Sequence, residues 1–304
     1  MDRIVIVTKP TRLEELVREH MTEGAARFAL ESRQQSIGEY QKENAAYKAA
    51  ISLVRKSIPN DVPVATVCRE DLPNFLFRDK DLILVCGPDG LFVNLAKYIG
   101  NQPVLTVNPD PRTVAGVLML FRPDEIGDMI ARAQANKHAV ERLPLLKTTI
   151  DDDRVVWGVN DLFIGRKDHV SALYELSFDG RRERQSSSGI IVSTGVGSTG
   201  WMRSIATMVA GLSRSEKANS LASLPEAASN ELVFVVREPF PSPKTGASLV
   251  TGRVIPGKPL EVTSEMPNGG YVFSDGVVEK AVEWNAGSRA IVTIGDRYVN
   301  RIIR

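Results

Sequence analysis

The chain has 304 residues, of which 25% are charged and 43% are hydrophobic, and its formal net charge is +1 at pH 7. This balance is typical of a soluble globular protein, and it offers no strongly charged surface for nucleic acid or an acidic membrane. Because the length exceeds the usual size of one hydrophobic core, we expect two domains. Cys68, Cys86 and three histidines suggest neither a disulfide framework nor a zinc site, and they favour a reducing cytoplasm.

Strands and helices alternate along the first part of the chain. The β-branched run at residues 4–7 predicts a first strand and is too short for a signal peptide or a membrane span. Helical spacing then begins at Thr11, and the Ser-x-x-Glu pattern at Ser36 and Glu39 predicts a capping box for a second helix that ends near Ser57. Further predicted elements are strands at 62–67, 82–86 and 103–107 and a helix at 91–99. This alternation predicts a parallel sheet covered by helices.

After a helical stretch at 123–138 the pattern changes, and short strands separated by turn residues begin near residue 148. Alternating apolar residues at 172–178 end at Asp179-Gly180, and the polar run RRERQSSS and the apolar run GIIVST follow. We interpret this stretch as a hairpin with solvated arginines. Other predicted strands are at 232–236, 248–255, 260–263, 271–273 and 290–294, and a helix is predicted at 201–212.

A Gly-Pro-Asp-Gly turn at residues 87–90 joins an apolar strand to a helix. Alone it is a common turn. A glycine-rich turn between a parallel strand and a helix N-terminus is also where phosphates bind through backbone N–H groups. Asp89 could then accept the proton of an attacking hydroxyl or help to hold Mg²⁺, as phosphoryl transfer requires. The chain has neither the G-x-S-x-G motif of serine hydrolases nor a P-loop.

Two further motifs follow in the second half. Asn160 and Asp161 interrupt an otherwise apolar strand, either as solvated residues at an edge or a bulge or as groups that hydrogen-bond a nucleoside. The sequence STGVGSTGW at 193–201 has small residues that would let a ligand approach the backbone, and Trp201 offers a flat face for a ring. A glycine-rich turn followed by a core tryptophan is the equally weighted alternative.

In this order the three motifs resemble those of the NAD kinases, which read GGDGT, Asn followed by Glu or Asp, and STPTGSTAY. The mitochondrial-type branch and its bacterial relatives are the most similar. The stretches that carry this resemblance are VTKPTR near the start, VNPDPRTVAG at 107–116, NDLFIG at 160–165, RQSSSGIIVSTGVGSTGW at 184–201 and the Asp-Gly turn in SDG at 274–276.

The resemblance implies an α/β plus β fold, with a Rossmann-like amino-terminal domain and a β-sandwich carboxyl-terminal domain. We expect an α/β domain that binds nucleotide phosphates at 1–122, a helical connection at 123–147 and a β-rich NAD-binding domain at 148–304, whose last residues are candidates to return to the first domain. The implied reaction is ATP + NAD → NADP + ADP with Mg²⁺. Small-molecule nucleotides are the implied partners, without nucleic acid or membrane, and the implied form is a cytoplasmic homodimer or higher homo-oligomer.

The resemblance also implies roles for individual residues, of which Asp89 is the base for the adenosine ribose 2′-hydroxyl. Gly87 and Gly90 belong to the phosphate site, and Lys9 and Arg12 either face the phosphates or are surface charges. The residues implied to bind NAD are Asn160, Asp161, Ser188, Thr199, Gly200, Trp201 and Ser204, with Asn108 and Asp110 as weaker candidates that also suit turn chemistry. No metal-ligating residue is assigned.

The turn at 87–90 departs from the family pattern at two positions. Pro88 has no N–H to give to a phosphate, and Leu91 replaces the hydroxyl of threonine. Ser188 also stands where many bacterial NAD kinases have an acidic residue, as in the mitochondrial-type branch. Pro88 and Leu91 leave open an NAD(P)-binding sensor of the same fold with weakened catalysis. A lipid or sugar kinase of the wider superfamily is a second alternative, since those enzymes share a GGDG-like turn.

Overall fold

The computed structural model describes residues 1–113, 116–213 and 224–304. The chain divides into two compact units, one made of Met1–Glu141 with Val299–Arg304 and the other of Arg142–Tyr298. Within the described ranges, no helix combines the length and the apolar character needed to cross a bilayer.

The first unit contains a parallel sheet. Its strands are β1 (Arg3–Thr8), β2 (Val64–Cys68), β3 (Asp81–Cys86) and β4 (Pro103–Val107), and the end of β16 (Arg289–Ile303) joins them. The order is β2-β1-β3-β4-β16, and Asn300 and Arg301 of β16 pair in parallel with Pro103 and Val104. Every residue of β3 is buried, as expected for a strand covered on both faces. The alternation of elements thus predicted the parallel sheet correctly.

The described part of the first unit has five α-helices beside this sheet: α1 (Arg12–His20), α2 (Glu23–Glu31), α3 (Gly38–Lys56), α4 (Asp89–Leu95) and α5 (Ile126–Gln134). Two of them pack on the sheet directly, because buried residues of α3 and α5 share one hydrophobic cluster with β1, β3 and β4. The helix α4 begins at the end of β3, so the turn at 87–90 lies at the carboxyl edge of the sheet.

The capping box predicted for α3 is wrong. The residue before this helix is Ile37, which makes no side-chain cap, and the Ser36 hydroxyl accepts a hydrogen bond of 3.2 Å from the Gly38 N–H. That local bond, two residues along the chain, takes the Ser36 hydroxyl away from a capping position. A capping box forms at α1 instead, where the Glu14 N–H donates to the Thr11 hydroxyl and the Thr11 N–H donates to the Glu14 carboxylate.

The second unit is a β-sandwich with one described helix. Its strands are β5 (Ala139–Ile150), β6 (Arg154–Gly158), β7 (Asp161–Arg166), β8 (Ala172–Phe178), β9 (Arg181–Ser187), β10 (Ile190–Ser193), β11 (Leu232–Val236), β12 (Thr251–Val254), β13 (Leu260–Ser264), β14 (Gly270–Ser274), β15 (Val282–Glu283) and the first part of β16, and its helix is α6 (Trp201–Ser213). One sheet has the order β12-β11-β10-β7-β14-β15, and the other contains β16-β13-β8-β9. Side chains from both sheets form one buried core, which confirms the predicted α/β plus β fold class.

The predicted hairpin pairs different strands from those expected. The polar run itself forms β9, which pairs with β8 across a turn in which Asp179 and Gly180 both have positive φ, whereas GIIVST forms β10 in the other sheet. The polar sequence suits a strand because its buried positions, Gln185 and Ser187, are hydrogen-bond partners of the buried Tyr174 hydroxyl.

Glu183 of β9 binds the segment that leads into β12. Its carboxylate accepts hydrogen bonds of 2.5 Å from the Ser248 hydroxyl, 3.1 Å from the Ser248 N–H and 2.9 Å from the Leu249 N–H. Burial alone would raise the pKa of Glu183, but hydrogen bonds from Ser248, Gln185 and Leu249 outweigh it and lower the pKa to about 2. Glu183 is therefore an ionised anchor for this segment at neutral pH.

Candidate functional site

The turn at 87–90 retains only part of the expected phosphate cradle. Pro88 is the residue before α4, and Asp89 is the first residue of the helix. The Gly87 N–H donates to the Val107 carbonyl at 3.2 Å, and the Leu91 N–H donates to the Pro88 carbonyl at 2.9 Å. The backbone N–H groups of Asp89 and Gly90 have no acceptor among residues 1–113, 116–213 and 224–304.

Open space lies over this turn. Gly90 is exposed, and a Cβ atom built on it has no neighbour within 4 Å among the described residues. The Cβ position of Gly90 is therefore open within the described ranges. Of the four backbone N–H groups at residues 87 and 89–91, only those of Asp89 and Gly90 have no acceptor in the described part of the chain and remain for an anion.

The Asp89 carboxylate is held in one orientation by two backbone amides. The Val117 N–H donates to Oδ2 and the Leu118 N–H donates to Oδ1, each at 3.1 Å. Asp89 itself is half-buried. A carboxylate has lone pairs beyond those that two amides use, so it can still accept a proton or contact a cation.

Leu91 takes part in packing and not in the site. Its exposed fraction is 1%, and its Cδ2 atom lies 2.8 Å from the position that a Cβ on Gly87 would occupy. The leucine therefore fills the space beneath the turn. Any larger residue at position 87 would have to displace the Leu91 side chain.

A cavity of about 310 Å³ beside the turn brings together Lys9, Arg12, Pro88 and Asp110. Arg12 is not an open cation, because it forms an ion pair of 2.5 Å with Glu43 and its guanidinium lies 4.7 Å from the Tyr40 ring centroid. The half-buried Lys9 side chain has no ion pair within the part of the chain that the structure describes. Of the two predicted cations, Lys9 is thus the one available to a phosphate.

Asn108 and Asp110 make the hydrogen bonds of turn residues. The Asn108 side-chain oxygen accepts from the Asp110 N–H at 3.1 Å. The Asp110 carboxylate accepts from the Thr113 hydroxyl at 2.8 Å and from Arg112 at 3.3 Å, and these bonds lower the pKa of Asp110. Both residues therefore have a structural role that explains their presence.

Asn160 and Asp161 do not interrupt one strand, as the sequence predicted, but stand where β6 ends and β7 begins. The Asp275 carboxylate accepts hydrogen bonds from the N–H groups of Val159, Asn160 and Asp161, the shortest being 2.7 Å from Asn160. The Asn160 carbonyl accepts from the Thr194 N–H at 2.9 Å. The Asn160 backbone is therefore fixed on both sides, while its side-chain amide has no hydrogen bond within the described ranges.

Two small residues in STGVGSTGW serve internal packing and not ligand access. A Cβ on Gly195 would lie 1.8 Å from the Glu226 carbonyl oxygen, and a Cβ on Gly197 would lie 2.0 Å from the Asn160 carbonyl oxygen. The expectation that these small residues expose the backbone is wrong at these positions, because the chain itself fills the space. Thr199 and Gly200 are exposed just before α6, and Ser204 is exposed in its first turn.

Trp201 stacks on Phe163, with ring centroids 6.1 Å apart and an angle of 12° between the ring planes. The Arg237 guanidinium lies 5.7 Å from the Trp201 ring centroid, and the Arg237 carbonyl accepts from the Ser188 N–H at 3.0 Å. Trp201 is half-buried, so it is neither an open platform nor a core residue. Ser188, Arg237 and Trp201 thus form one connected group.

Sequence reasoning missed three residues that hold the predicted site residues. These are Asp275, Arg237 and Tyr47, whose hydroxyl donates to the Cys86 carbonyl at the start of the 87–90 turn. The Asp-Gly turn was a visible signal for Asp275, whereas a lone arginine after β11 and a tyrosine on α3 carry no signal. Among the described residues no group of three His, Cys, Asp or Glu side chains could hold a metal ion.

Sequence comparison finds NAD kinases. The chain is 30% identical over 124 residues to an NAD kinase of Saccharolobus islandicus. The aligned region covers 41% of this chain and 47% of that protein. The chain is 29% identical over 131 residues to NAD kinase 2 of Geobacillus kaustophilus, covering 42% and 49%. The chain thus spans about half the length of the relatives it matches. No family model matches it.

Solved structures match over nearly the whole chain. Yeast NADH kinase complexed with NADH superposes with a TM-score of 0.61 at 15% identity, covering 99% of this chain and 83% of that one. An NAD kinase from Archaeoglobus fulgidus in complex with ATP gives a TM-score of 0.58 at 18% identity, covering 99% and 93%. This chain has the NAD kinase fold. The resemblance to the NAD kinase family is therefore confirmed, whereas the mitochondrial-type branch stays a prediction.

Proposed function

We propose that the chain transfers the terminal phosphate of ATP to the 2′-hydroxyl of the adenosine ribose of NAD or NADH, giving NADP or NADPH. The sequence relatives named NAD kinase and the two solved structures, one complexed with NADH and one with ATP, support this proposal. The observation that carries it is the Asp89 carboxylate, held by two amides at a turn whose Asp89 and Gly90 N–H groups are open.

In this proposal Asp89 accepts the proton of the attacking 2′-hydroxyl. The N–H groups of Asp89 and Gly90 bind phosphate oxygens, and Lys9 adds a positive charge from the neighbouring cavity. Gly87 contributes space beneath the turn and not a donor, because its N–H is used by Val107. Arg12 and Asp110 line the cavity, and the Asn108 side-chain oxygen accepts from the Asp110 N–H.

The NAD-binding residues of the second unit are part of the same proposal. The Asn160 side-chain amide hydrogen-bonds the adenosine portion, since its backbone is fixed and its amide is open. The exposed Thr199, Gly200 and Ser204 contact the dinucleotide near the start of α6. Asp161, Ser188 and Trp201 complete the proposed set.

Mg²⁺ fits this set of residues as a phosphate-bound ion. Proteins commonly hold Mg²⁺ by one or two carboxylates together with substrate phosphates. Asp89 is the carboxylate that would hold it. The ion would neutralise charge on the transferred phosphoryl group. A cytoplasmic location and a homodimer or higher homo-oligomer, without nucleic acid or membrane partners, belong to the proposal on the resemblance alone.

An NAD(P)-binding sensor with weakened catalysis is the second candidate. It is favoured by the loss of two phosphate donors from the family motif, because Pro88 has no N–H and Leu91 has no hydroxyl. In that case the acceptor is bound while the donor phosphate is not aligned for transfer.

One experiment separates the candidates. The protein is mixed with NAD, Mg²⁺ and ATP, another triphosphate or polyphosphate, and NADP is measured. Thermal shifts are recorded separately with NAD and with NADP, without a phosphate donor. We expect a thermal shift and slow NADP formation. A shift without NADP from any donor would support the sensor and end the kinase proposal, and no shift with NAD or NADP would favour a lipid or sugar acceptor.

A further inference from the structure

Arg301 is a buried cation near the end of β16. Its exposed fraction is 5%, and its Nε and Nη2 atoms donate to the Glu141 carboxylate, the former at 3.1 Å. Its Nη1 atom donates to the Leu118 carbonyl at 3.4 Å. Because an unpaired buried guanidinium is costly, these partners fix its position within the first unit.

Leu118 connects Arg301 to Asp89. Its carbonyl accepts from Arg301, and its N–H donates to Asp89 Oδ1 at 3.1 Å. The preceding N–H, that of Val117, donates to Asp89 Oδ2 at 3.1 Å. The two amides that orient the Asp89 carboxylate thus belong to a short segment that Arg301 holds from the opposite side.

We propose that Arg301, fixed by Glu141, is a positioning residue for the Asp89 carboxylate. It acts through Val117 and Leu118 and touches no substrate. The proposal rests on the proposed function for its effect on turnover, but the coupling between Arg301 and the two amides can be measured without any reaction. If Arg301 only stabilised the fold, replacing it would lower the free energy of unfolding. The exchange rates of the two amides in the folded protein, and its turnover, would then be unchanged.

Arg304 offers a matched control. It lies three residues further along and donates to the Leu120 carbonyl at 2.8 Å, but its side chain is 65% exposed and, within the described ranges, it makes no hydrogen bond or ion pair with residues 117–118 or Asp89. Arg301→Lys and Arg304→Lys therefore make the same chemical change at two arginines whose acceptor carbonyls, those of Leu118 and Leu120, are two residues apart. A lysine ammonium cannot reproduce the fork that serves Glu141 and Leu118 together.

The test measures hydrogen exchange of the Val117 and Leu118 amides in the folded variants, together with steady-state kinetics. We expect Arg301→Lys to speed exchange of both amides about tenfold and to lower kcat about tenfold, with KM for NAD and ATP within about twofold. Arg304→Lys should change none of these. Glu141→Gln, which keeps the shape of the side chain and removes its charge, should act like Arg301→Lys and serves if that variant does not fold.

The outcomes are distinguishable. Unchanged exchange at both amides in a folded Arg301→Lys or Glu141→Gln variant overturns the coupling. Faster exchange with unchanged kcat overturns the positioning role. If the wild-type protein forms no NADP from any donor, the proposed function fails, and the exchange measurement alone decides whether Arg301 holds the segment that orients Asp89.

Discussion

The Tyr47 hydroxyl joins two strand ends of the first unit, because it donates to the Cys86 carbonyl at 2.9 Å and accepts from the Lys9 N–H at 3.1 Å. Burial raises the pKa of Tyr47, so the phenol stays protonated and remains a donor. One side chain of α3 thus fixes the residue that precedes the 87–90 turn and the residue whose side chain lines the adjacent cavity.

Tyr47→Phe should lower the free energy of unfolding by about 1–3 kcal/mol, since it leaves the Lys9 N–H and the Cys86 carbonyl without their partner. Urea denaturation measures this. Tyr40→Phe is the matched control on the same helix, because the Tyr40 hydroxyl has no hydrogen bond within the described ranges and its ring still packs beside Arg12. Equal losses in the two variants would contradict a specific role for the Tyr47 hydroxyl.

Asp89→Asn should lower turnover about 100-fold or more while NAD affinity is kept, because an amide cannot accept the proton of the 2′-hydroxyl. The structure adds a smaller effect. Asparagine has one side-chain oxygen, so the Val117 or the Leu118 N–H loses its acceptor, and stability should fall by about 1 kcal/mol. Steady-state NADP formation and calorimetric NAD binding test both points, and unchanged turnover would remove Asp89 from the role of base.

Pro88→Gly and Leu91→Thr should have separate effects. Replacing Pro88 restores a backbone N–H, so ATP should bind about 1 kcal/mol more tightly if phosphates lie on this turn. Pro88→Ala restores the same N–H with less backbone freedom and should match it. Leu91→Thr should instead cost about 2–4 kcal/mol of stability, because it empties space in the core. ATP affinity that improves in neither Pro88 variant would mean that the donor binds elsewhere.

Asp275→Asn tests the residue that holds Asn160. Its φ of +53° is one that asparagine also adopts, so the backbone is kept while one acceptor oxygen is lost. We expect stability to fall by about 2 kcal/mol and NAD affinity to fall about tenfold. Asp179→Asn, at a φ of +49° in the exposed hairpin turn, should change NAD affinity negligibly. Similar NAD binding in both variants would contradict a role for Asp275 at the site.

Glu183 predicts a specific pH dependence of stability. Its folded-state pKa of about 2 is below its ordinary value of 4.5, so its contribution is fully present above about 4.5 and is lost as the pH falls toward 2. Glu183→Gln should therefore destabilise by about 1 kcal/mol at pH 7, after screening by solvent, and progressively less in acid. Glu175→Gln, on an exposed side chain with an ion pair of 3.8 Å, should cost little. A difference in the free energy of unfolding between the wild type and Glu183→Gln that stays constant from pH 7 to pH 2 would contradict this account.

Periodicity and turn residues predicted most of the fold. The strands at 103–107, 172–178 and 232–236 have the predicted bounds. Each has a regular strand pattern of apolar or alternating residues. The polar strand β9 escaped prediction, since the partner of Gln185 and Ser187 is Tyr174 on another strand and burial of polar residues cannot be seen locally. The capping box predicted at Ser36 failed because the Ser36 hydroxyl accepts a local hydrogen bond from the Gly38 N–H, which the spacing of Ser36 and Glu39 does not show.

The candidate site was predictable at the level of motifs and not of contacts. The turn motif predicted Asp89. The amides that orient its carboxylate belong to residues 117–118, and Arg301 donates to the Leu118 carbonyl of that segment. Gly195 and Gly197 were recognised as special, yet what requires them is the carbonyl oxygens of Glu226 and Asn160. Contacts between residues this far apart in the chain cannot be predicted from the spacing of residues in a single sequence.

The pairing of β16 with β4 affects the order in which the protein can be completed during synthesis. Residues 299–304 leave the ribosome only after the whole second unit, whereas β1 to β4 leave it much earlier. A nascent first unit therefore exposes the unpaired edge of β4 for the time that the second unit takes to be translated, and such an edge invites pairing with other chains. Arg301 arrives in the same late segment, so the 117–118 segment beside Asp89 lacks this support until translation has passed the second unit.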